Sequence, residues 1–188
     1  MYKDVIKRFF DILLSGIALV ILSPLMLIVA LLVYLQDFGP VIFRQQRVGK
    51  NGNLFLCYKF RSMPVNTPNV PSAEANKVSI TPFGKIIRRT NMDELPQLFN
   101  VLKGDMSIVG PRPPIASQTN LIALRRNNGA LNVRPGLTGW AQVNGYDFMP
   151  DEHKAKFDEE YANGISLGMD VKIILRTFVY LTKKPPTY

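Results

Sequence analysis

Hydrophobic and polar positions are distributed unevenly along this chain, and the longest apolar stretch comes first. From Ile12 to Leu35 there are 24 consecutive residues without a charge. At ~1.5 Å per residue an unbroken helix of that length reaches ~36 Å, enough to cross a hydrocarbon core of ~30 Å. The run is too long for the apolar core of a signal peptide, and no small-residue cleavage site follows it. Ser23-Pro24 interrupts it near the middle. Proline removes a backbone hydrogen bond and clashes with the carbonyl four residues back, and a neighbouring serine helps satisfy the freed groups. Lys3, Lys7 and Arg8 precede the run, and Arg44, Arg47 and Lys50 follow it. A spanning helix concentrates positive charge on one side. Basic flanks at both ends predict a re-entrant helix that enters, breaks at Ser23-Pro24 and returns to the same face. A kinked span is the alternative.

Beyond Gly39-Pro40 the periods shorten. Val41 to Gln45 and Leu54 to Arg61 read as strands joined by a turn at Gly49-Lys50-Asn51-Gly52. Alternation in the second places Phe55, Cys57, Lys59 and Arg61 on one face, where the two cations either clamp a phosphate or blunt a sheet edge. Ser62 to Thr81, with Pro64, Pro68 and Pro71, predicts a mobile surface loop and a candidate lid. Pro82 to Arg89 pairs Phe83, Ile86 and Ile87 with cations, as an interfacial helix or a core helix would. Leu95, Leu98, Phe99 and Leu102 follow at helical spacing, with Pro96 in the first turn and Gly104 ending it. That puts Asp93 and Glu94 at a helix N-terminus, where the macrodipole favours ionised carboxylates. Further helices are predicted around Ser117 to Asn128, over the acidic and solvated Asp151 to Glu160, and over Val171 to Leu181. The last has Val171, Ile174, Leu175, Phe178 and Leu181 on one face, for the core or for a second interfacial anchor. Pro135-Gly136 fits a type II turn, and the glycines around it predict close backbone approach. The fold class is α+β: a membrane helix over 1–37, then a second domain over 38–188 built from amphipathic helices and a small β-hairpin, which the resemblance given below implies is catalytic.

Charge sharpens this picture. The chain of 188 residues has a net charge of +9, and between Phe38 and Tyr146 there are 14 Lys/Arg against 4 Asp/Glu. From Asp147 to Glu160 the sign reverses, with six acids against two lysines. Such a basic region implies an anionic partner: nucleic acid, a phosphorylated small molecule or an anionic lipid surface. One cysteine (Cys57) and one histidine (His153) exclude an internal disulfide framework and a Cys/His zinc cluster, leaving oxygen-ligand chemistry. Within the basic region, Asp93-Glu94 stands out as a candidate nucleophile or metal ligand, although acids near a helix start are also common stabilisers. In Gly110-Pro111-Arg112-Pro113-Pro114, prolines on both sides restrict Arg112, which suits recognition of a phosphate or planar base and equally suits a rigid linker.

Several blocks in order resemble the monotopic phosphoglycosyl transferases, the bacterial sugar transferase family. They are the apolar segment with Ser23-Pro24, Tyr58-Lys59-Phe60-Arg61-Ser62-Met63, Asp93-Glu94-Leu95-Pro96-Gln97-Leu98, Lys103-Gly104-Asp105-Met106-Ser107, Gly110-Pro111-Arg112-Pro113, Arg134-Pro135-Gly136, Thr138-Gly139 and Ala141-Gln142-Val143-Asn144-Gly145. The resemblance implies transfer of a phosphosugar from a UDP-sugar to polyprenyl (undecaprenyl) phosphate with release of UMP, at the cytoplasmic face of the bacterial inner membrane. It implies Asp93 as nucleophile and Mg²⁺ ligand, and Glu94 as a second catalytic carboxylate. Lys59, Arg61 and Arg88 match positions expected near phosphates. Pro111, Arg112 and Pro113 match the loop expected at the nucleotide, and Arg134 and Gln142 fall in further substrate-binding blocks. Many members continue Val-Asn-Gly with arginine, where this chain has Tyr146. The resemblance also implies a minimal catalytic unit without further N-terminal membrane helices.

A different class of function stays in view: a non-catalytic, membrane-anchored basic module that binds anionic lipid or nucleic acid. It accounts for the charge and the anchor, but gives no reason for an Asp-Glu pair inside the basic region.

Overall fold

The computed structural model describes residues 2–65, 67, 80–145 and 149–182. Tyr146, Lys183, Lys184 and most of the predicted loop between Ser62 and Thr81, including Pro68 and Pro71, lie outside the described residues. Mixed helices and two small sheets make an α+β arrangement around one long apolar helix.

That helix, α1, runs from Lys7 to Asp37 with Pro24 inside it, preceded by a wide helical turn over Tyr2–Ile6. Pro24 has no N–H for the carbonyl of Val20, four residues back, and Ser23 Oγ donates to that same carbonyl at 2.8 Å. The helix ends at Phe38, which turns into the left-handed region (φ 51°) and donates its N–H to the Tyr34 carbonyl.

Both ends of α1 dock on the rest of the chain. At the start, Arg8 donates to the carbonyls of Val101 and Leu102 at 2.6 and 2.8 Å, and Asp11 Oδ1 accepts from Ser107 Oγ and the Ile108 N–H, each at 2.9 Å. Near the end, Val29 and Val33 are buried with Phe60 and Ile87. Between these anchorages Ile17, Val20, Ile21, Leu27 and Ile28 are exposed, Val20 by 75%. An apolar surface of this kind is what a lipid environment covers.

The hairpin forms as expected, with β1 (Ile42–Val48) antiparallel to β2 (Leu54–Phe60) and Gln45 opposite Cys57. β1 extends three residues further than its pattern suggested, because the turn is the tight one at Lys50–Gly52, with Asn51 at φ 58°. Next come α2 (Pro82–Arg89) and α3 (Gln97–Lys103). The α3 residue Asn100 is fully buried; it accepts from Tyr58 N at 3.0 Å and donates to the Leu56 carbonyl at 2.7 Å, bonding α3 to the edge of β2.

A second sheet was not legible in the pattern: β3 (Ser107–Val109) pairs in parallel with β4 (Gly136–Thr138). Pro135-Gly136 is not a type II turn, since Gly136 enters β4 without a positive φ. The expected close approach is real. A Cβ on Gly136 would stand 2.1 Å from Gly110 N, and one on Gly139 2.2 Å from Gly110 O.

The remaining helices are α4 (Thr119–Asn127), α5 (Trp140–Asn144), α6 (Asp151–Asn163) and α7 (Leu167–Thr182). One expectation needs correcting, and for α7 the structure bears on a choice left open between core helix and interfacial anchor. α6 is not solvated all round, because Ala155, Asp158 and Tyr161 are buried. In α7 the fully buried residue is Ile173, packed with Val109 and Tyr161, whereas Val171, Leu175 and Phe178 of the predicted face are exposed.

Candidate active site

The Asp-Glu pair is set by the chain just ahead of α3. α2 is capped by Thr81, whose Oγ1 accepts from the Gly84 N–H at 3.0 Å, and Pro82 starts its first turn. At its end Asn91 takes a left-handed conformation (φ 54°), and Met92–Glu94 form one 3₁₀ turn. Pro96 then stands at the N-cap of α3, so the helix begins at Gln97, two residues later than the apolar spacing indicated. The carboxylates therefore sit in the tight turn before α3 rather than in its first turn. Met92 and Leu95, on either side of the pair, pack against the cluster formed by Val29, Val33, Phe60 and Ile87. Two apolar anchors thus hold two acids at the edge of the surface on which α1 docks.

The two carboxylates have opposite surroundings. Glu94 Oε1 accepts from Lys59 Nζ at 2.7 Å and from Arg112 Nη2 at 2.8 Å. Burial pushes Glu94 up, but the Arg112 and Lys59 cations outweigh it and hold the carboxyl well below the usual carboxylate range. Asp93, only 7% exposed, has no hydrogen-bond or ion-pair partner for its carboxylate among the described residues. Burial raises its pKa to about 6, and the negative Glu94 adds to the rise while Lys59, Arg88 and Arg112 oppose it. One acid is tied; the other is left bare beside it.

Arg112 is presented by a loop held along its whole length. The carbonyl of Pro111 accepts from Gly136 N at 2.9 Å and that of Pro114 from Val48 N at 2.8 Å. The carbonyl of Arg112 accepts from Arg125 Nη1 at 2.8 Å and that of Pro113 from Arg47 Nη1 at 3.1 Å. Three of these four residues are prolines, so the loop has a single backbone N–H and all four of its carbonyls are occupied. Arg125 is in turn fixed by Asp158, with both groups buried and Nη2 at 2.6 Å from Oδ2. Arg47 is buried too, and burial together with the nearby Arg112 lowers its pKa to about 10.

Not every residue expected here is brought to the carboxylates. Lys59, Arg88 and Arg112 are, Arg88 donating its Nε to Ser62 Oγ at 2.9 Å, and Pro111 and Pro113 frame Arg112. Arg61 points instead to the end of α1, pairing with Asp37 and reaching the Val33 carbonyl at 3.4 Å, so Lys59 and Arg61 do not clamp one ligand together. Arg134 donates Nε to the Gly104 carbonyl at 3.2 Å, at the opposite end of α3. Gln142 lies in α5 and donates to the Leu137 carbonyl at 3.3 Å. Arg47, Arg125 and Asp158 escaped the sequence reading. The partners are 66 and 33 residues apart (Arg47 to Pro113, Arg125 to Asp158), and no local pattern marks such pairs.

Among the described residues no group of three or more His, Cys, Asp or Glu gathers around a common point. A closed protein cage for a metal is therefore missing from them. A site of the magnesium kind needs only one or two carboxylates plus substrate phosphate oxygens. The buried, unpaired Asp93 carboxylate fits that donor set, since a divalent cation would supply its missing counter-charge.

Residues 2–184 match the bacterial sugar transferase family. The chain belongs to that family. Similar proteins include the UDP-glucose:undecaprenyl-phosphate glucose-1-phosphate transferase of Klebsiella pneumoniae, 42% identical over 92% of this chain and 39% of that protein. A UDP-N-acetylgalactosamine-undecaprenyl-phosphate N-acetylgalactosaminephosphotransferase of Aeromonas hydrophila is 44% identical over 92% of this chain and 42% of that protein. An uncharacterized sugar transferase of Bacillus subtilis, EpsL, is 38% identical over 92% of this chain and 85% of its own length. The chain thus spans about two fifths of the length of the first two relatives. Those two are named for different sugars at nearly equal identity, so overall similarity does not select a donor.

Proposed function

We propose that this sugar transferase moves a sugar-1-phosphate from a UDP-sugar to polyprenyl phosphate through a covalent intermediate on Asp93. The observation that carries the reading is the contrast between the two carboxylates. A carboxylate held in two charge-assisted hydrogen bonds has its electron density committed, whereas a desolvated, unpaired one is available to attack. Asp93 attacks the sugar-bearing phosphorus of the UDP-sugar, the bond to the bridging oxygen breaks, and UMP leaves. An oxygen of polyprenyl phosphate then attacks the same phosphorus, the bond to Asp93 breaks, and polyprenyl diphosphosugar forms. Glu94 is the organiser: it holds Lys59 and Arg112 where the diphosphate charge lies, and phosphoryl transfer depends mainly on such positioning and neutralisation. Asp93 together with substrate phosphate oxygens would hold Mg²⁺, whose contribution is to neutralise diphosphate charge.

The membrane reading goes with it. We infer that α1 enters the cytoplasmic face of the inner membrane and returns to it. Support comes from the docking of both ends of α1 on the same catalytic region and from the Ser23 bond to the carbonyl that Pro24 leaves open. Cys57, the single cysteine, is buried, so a cysteine introduced at the exposed Val5 can be labelled cleanly. Labelling of Val5→Cys by an impermeant reagent from the periplasmic side would overturn the re-entrant reading.

The reaction is tested by UMP release from a panel of UDP-sugars with undecaprenyl phosphate and Mg²⁺, with and without chelator. The expected result is metal-dependent UMP from one donor. Without the lipid acceptor, one equivalent of UMP should appear, with the matching mass gain on a peptide containing Asp93. UMP formed only when the lipid is present, with no adduct, would replace the covalent route by direct transfer. No UMP from any donor by folded, membrane-bound protein would leave a binding module.

A further inference from the structure

A cleft at the foot of α1 stands apart from the carboxylate site. Lys3, Lys7, Asp11, Lys50, Asn132 and Arg134 line it, contributed by the turn before α1, by α1 itself, by the hairpin turn and by the segment leading into β4. Four cations therefore face one carboxylate. Lys7 is committed to Asp170 at 2.7 Å, and Asp11 Oδ1 is occupied by Ser107 and Ile108. Lys3 and Lys50 form no ion pair among the described residues, and of the Arg134 guanidinium only Nε makes a hydrogen bond there. With Lys7 offset by Asp170, three cations remain against the one Asp11 carboxylate, and cations in such excess, drawn together from separate elements, repel one another unless an anion joins them.

The cleft is also well placed. It lies at the Gly104 end of α3 and at the turn end of the hairpin, whereas Glu94 and Lys59 are at the other ends of those elements. The exposed apolar surface of α1 begins beside the cleft, with Phe9 and Phe10 just before Asp11 and Ile12 just after it. Lysine ammoniums, an arginine fork and an asparagine amide together suit a small tetrahedral oxyanion rather than a planar or extended ligand.

We propose that this cleft binds a phosphate group, from an anionic phospholipid headgroup or from free phosphate, as a site separate from the transfer centre. Occupancy ties the turn before α1, the hairpin turn and the β4 segment together where the membrane helix leaves the catalytic region. The proposal does not depend on the reaction assigned above.

The test is thermal unfolding of the full chain in a non-ionic detergent, with Asp93→Asn run in parallel to exclude the transfer centre as the source of any effect. Phosphatidylglycerol is added to the micelles in one arm, phosphatidylcholine in a second, and inorganic phosphate in a third. A ligand at ~100 times its dissociation constant raises the Tm of a protein this size by about 5–10 °C. The expected result is a rise with phosphatidylglycerol and none with phosphatidylcholine, identical in Asp93→Asn and abolished in Lys3→Gln/Lys50→Gln. A rise with inorganic phosphate as well assigns the site to free phosphate. Should the double variant not fold, Lys50→Gln alone, in the hairpin turn, weakens the response and Lys50→Arg restores it. No rise with either anion, an equal rise with phosphatidylcholine, or a rise that survives loss of both lysines overturns the proposal.

Discussion

The buried acids at the foot of α1 and the buried acid of the transfer centre are treated in opposite ways. Asp170 accepts from Tyr2 Oη and Lys7 Nζ on one oxygen, each at 2.7 Å, and from Tyr161 Oη on the other at 2.8 Å. Asp11 takes two donors on Oδ1, and Asp158 takes the Arg125 guanidinium on Oδ2. Asp93, 7% exposed against 1–5% for these three, takes none among the described residues, although Asp158 too keeps one oxygen, Oδ1, buried without a partner. Burying a charge costs several kcal/mol unless it is paired and hydrogen-bonded, so a fold that supplies partners elsewhere leaves Asp93 bare at a cost in stability. That cost distinguishes Asp93 from Glu94 more sharply than conformation does, because both acids of the pair share the same 3₁₀ turn.

Three substitutions, one of them read in two ways, put this contrast under strain. The largest effect belongs to Asp93→Asn, which keeps the shape and removes the proposed nucleophile. Turnover measured as UMP release should fall by at least ~10⁴-fold, and turnover retained within tenfold would remove Asp93 from that role. Next is Asp158→Ala, which strands the Arg125 guanidinium inside the protein. Urea unfolding should register a loss of about 3–5 kcal/mol, and a loss under about 1 kcal/mol would mean that the pair is not the anchor of the Arg112 loop. Third is Glu94→Gln, which weakens the hold on Lys59 and Arg112 while leaving Asp93 in place. Turnover should drop by ~10²-fold with the covalent adduct still detectable; a complete loss of adduct would make Glu94 a direct participant.

The smallest effect is on stability against pH, in chelator and without substrate. Asp93 has its folded pKa raised to about 6 from an ordinary value of 3.8. Between these values the folded state holds the proton more tightly than the unfolded state. The stabilisation is full below the unfolded pKa and is lost as pH rises through about 6. Glu94, depressed, contributes the other way: its stabilisation is present above its unfolded pKa and is lost as pH falls. Asp93→Asn should therefore be more stable than the parent by about 1–3 kcal/mol at pH 8, with the difference shrinking towards pH 4. A difference independent of pH would show that Asp93 is not the group that titrates.

Local chemistry made the centre legible, and distance hid its supports. Ser23-Pro24 and Asp93-Glu94 are neighbours in sequence whose meaning follows from what proline lacks and where acids sit in a turn. The helices at 82–89, 97–103 and 119–127 follow from apolar spacing and end signals such as Gly104, which caps α3 at φ 93°. The parallel pairing of Ser107–Val109 with Gly136–Thr138 escaped because three-residue strands are too short to show a period, and Gly136 resembles a turn residue. The choice left open for α7, core helix or interfacial anchor, could not be made from sequence for a related reason. A stripe of Val171, Leu175 and Phe178 signals amphipathicity, but only tertiary contact shows that Ile173 is the residue that packs inward. Arg61 was read beside Lys59 because strand alternation puts them on one face; the end of α1, with Asp37, captures it instead.

The hydrogen bonds at the foot of α1 also fix an order of events during synthesis. Asp11 and its partners Ser107 and Ile108 are 96 and 97 positions apart. At translation rates of roughly 5–20 residues per second, the apolar helix leaves the ribosome on the order of 5–20 s before those donors exist. Over that interval Asp11 has only water to satisfy it, which favours holding its end of the helix at the aqueous boundary. On the membrane reading proposed above, the hydroxyl and amide that later close on Asp11 arrive at a helix already committed to its side of the bilayer. Topology in this chain is decided early and locked late.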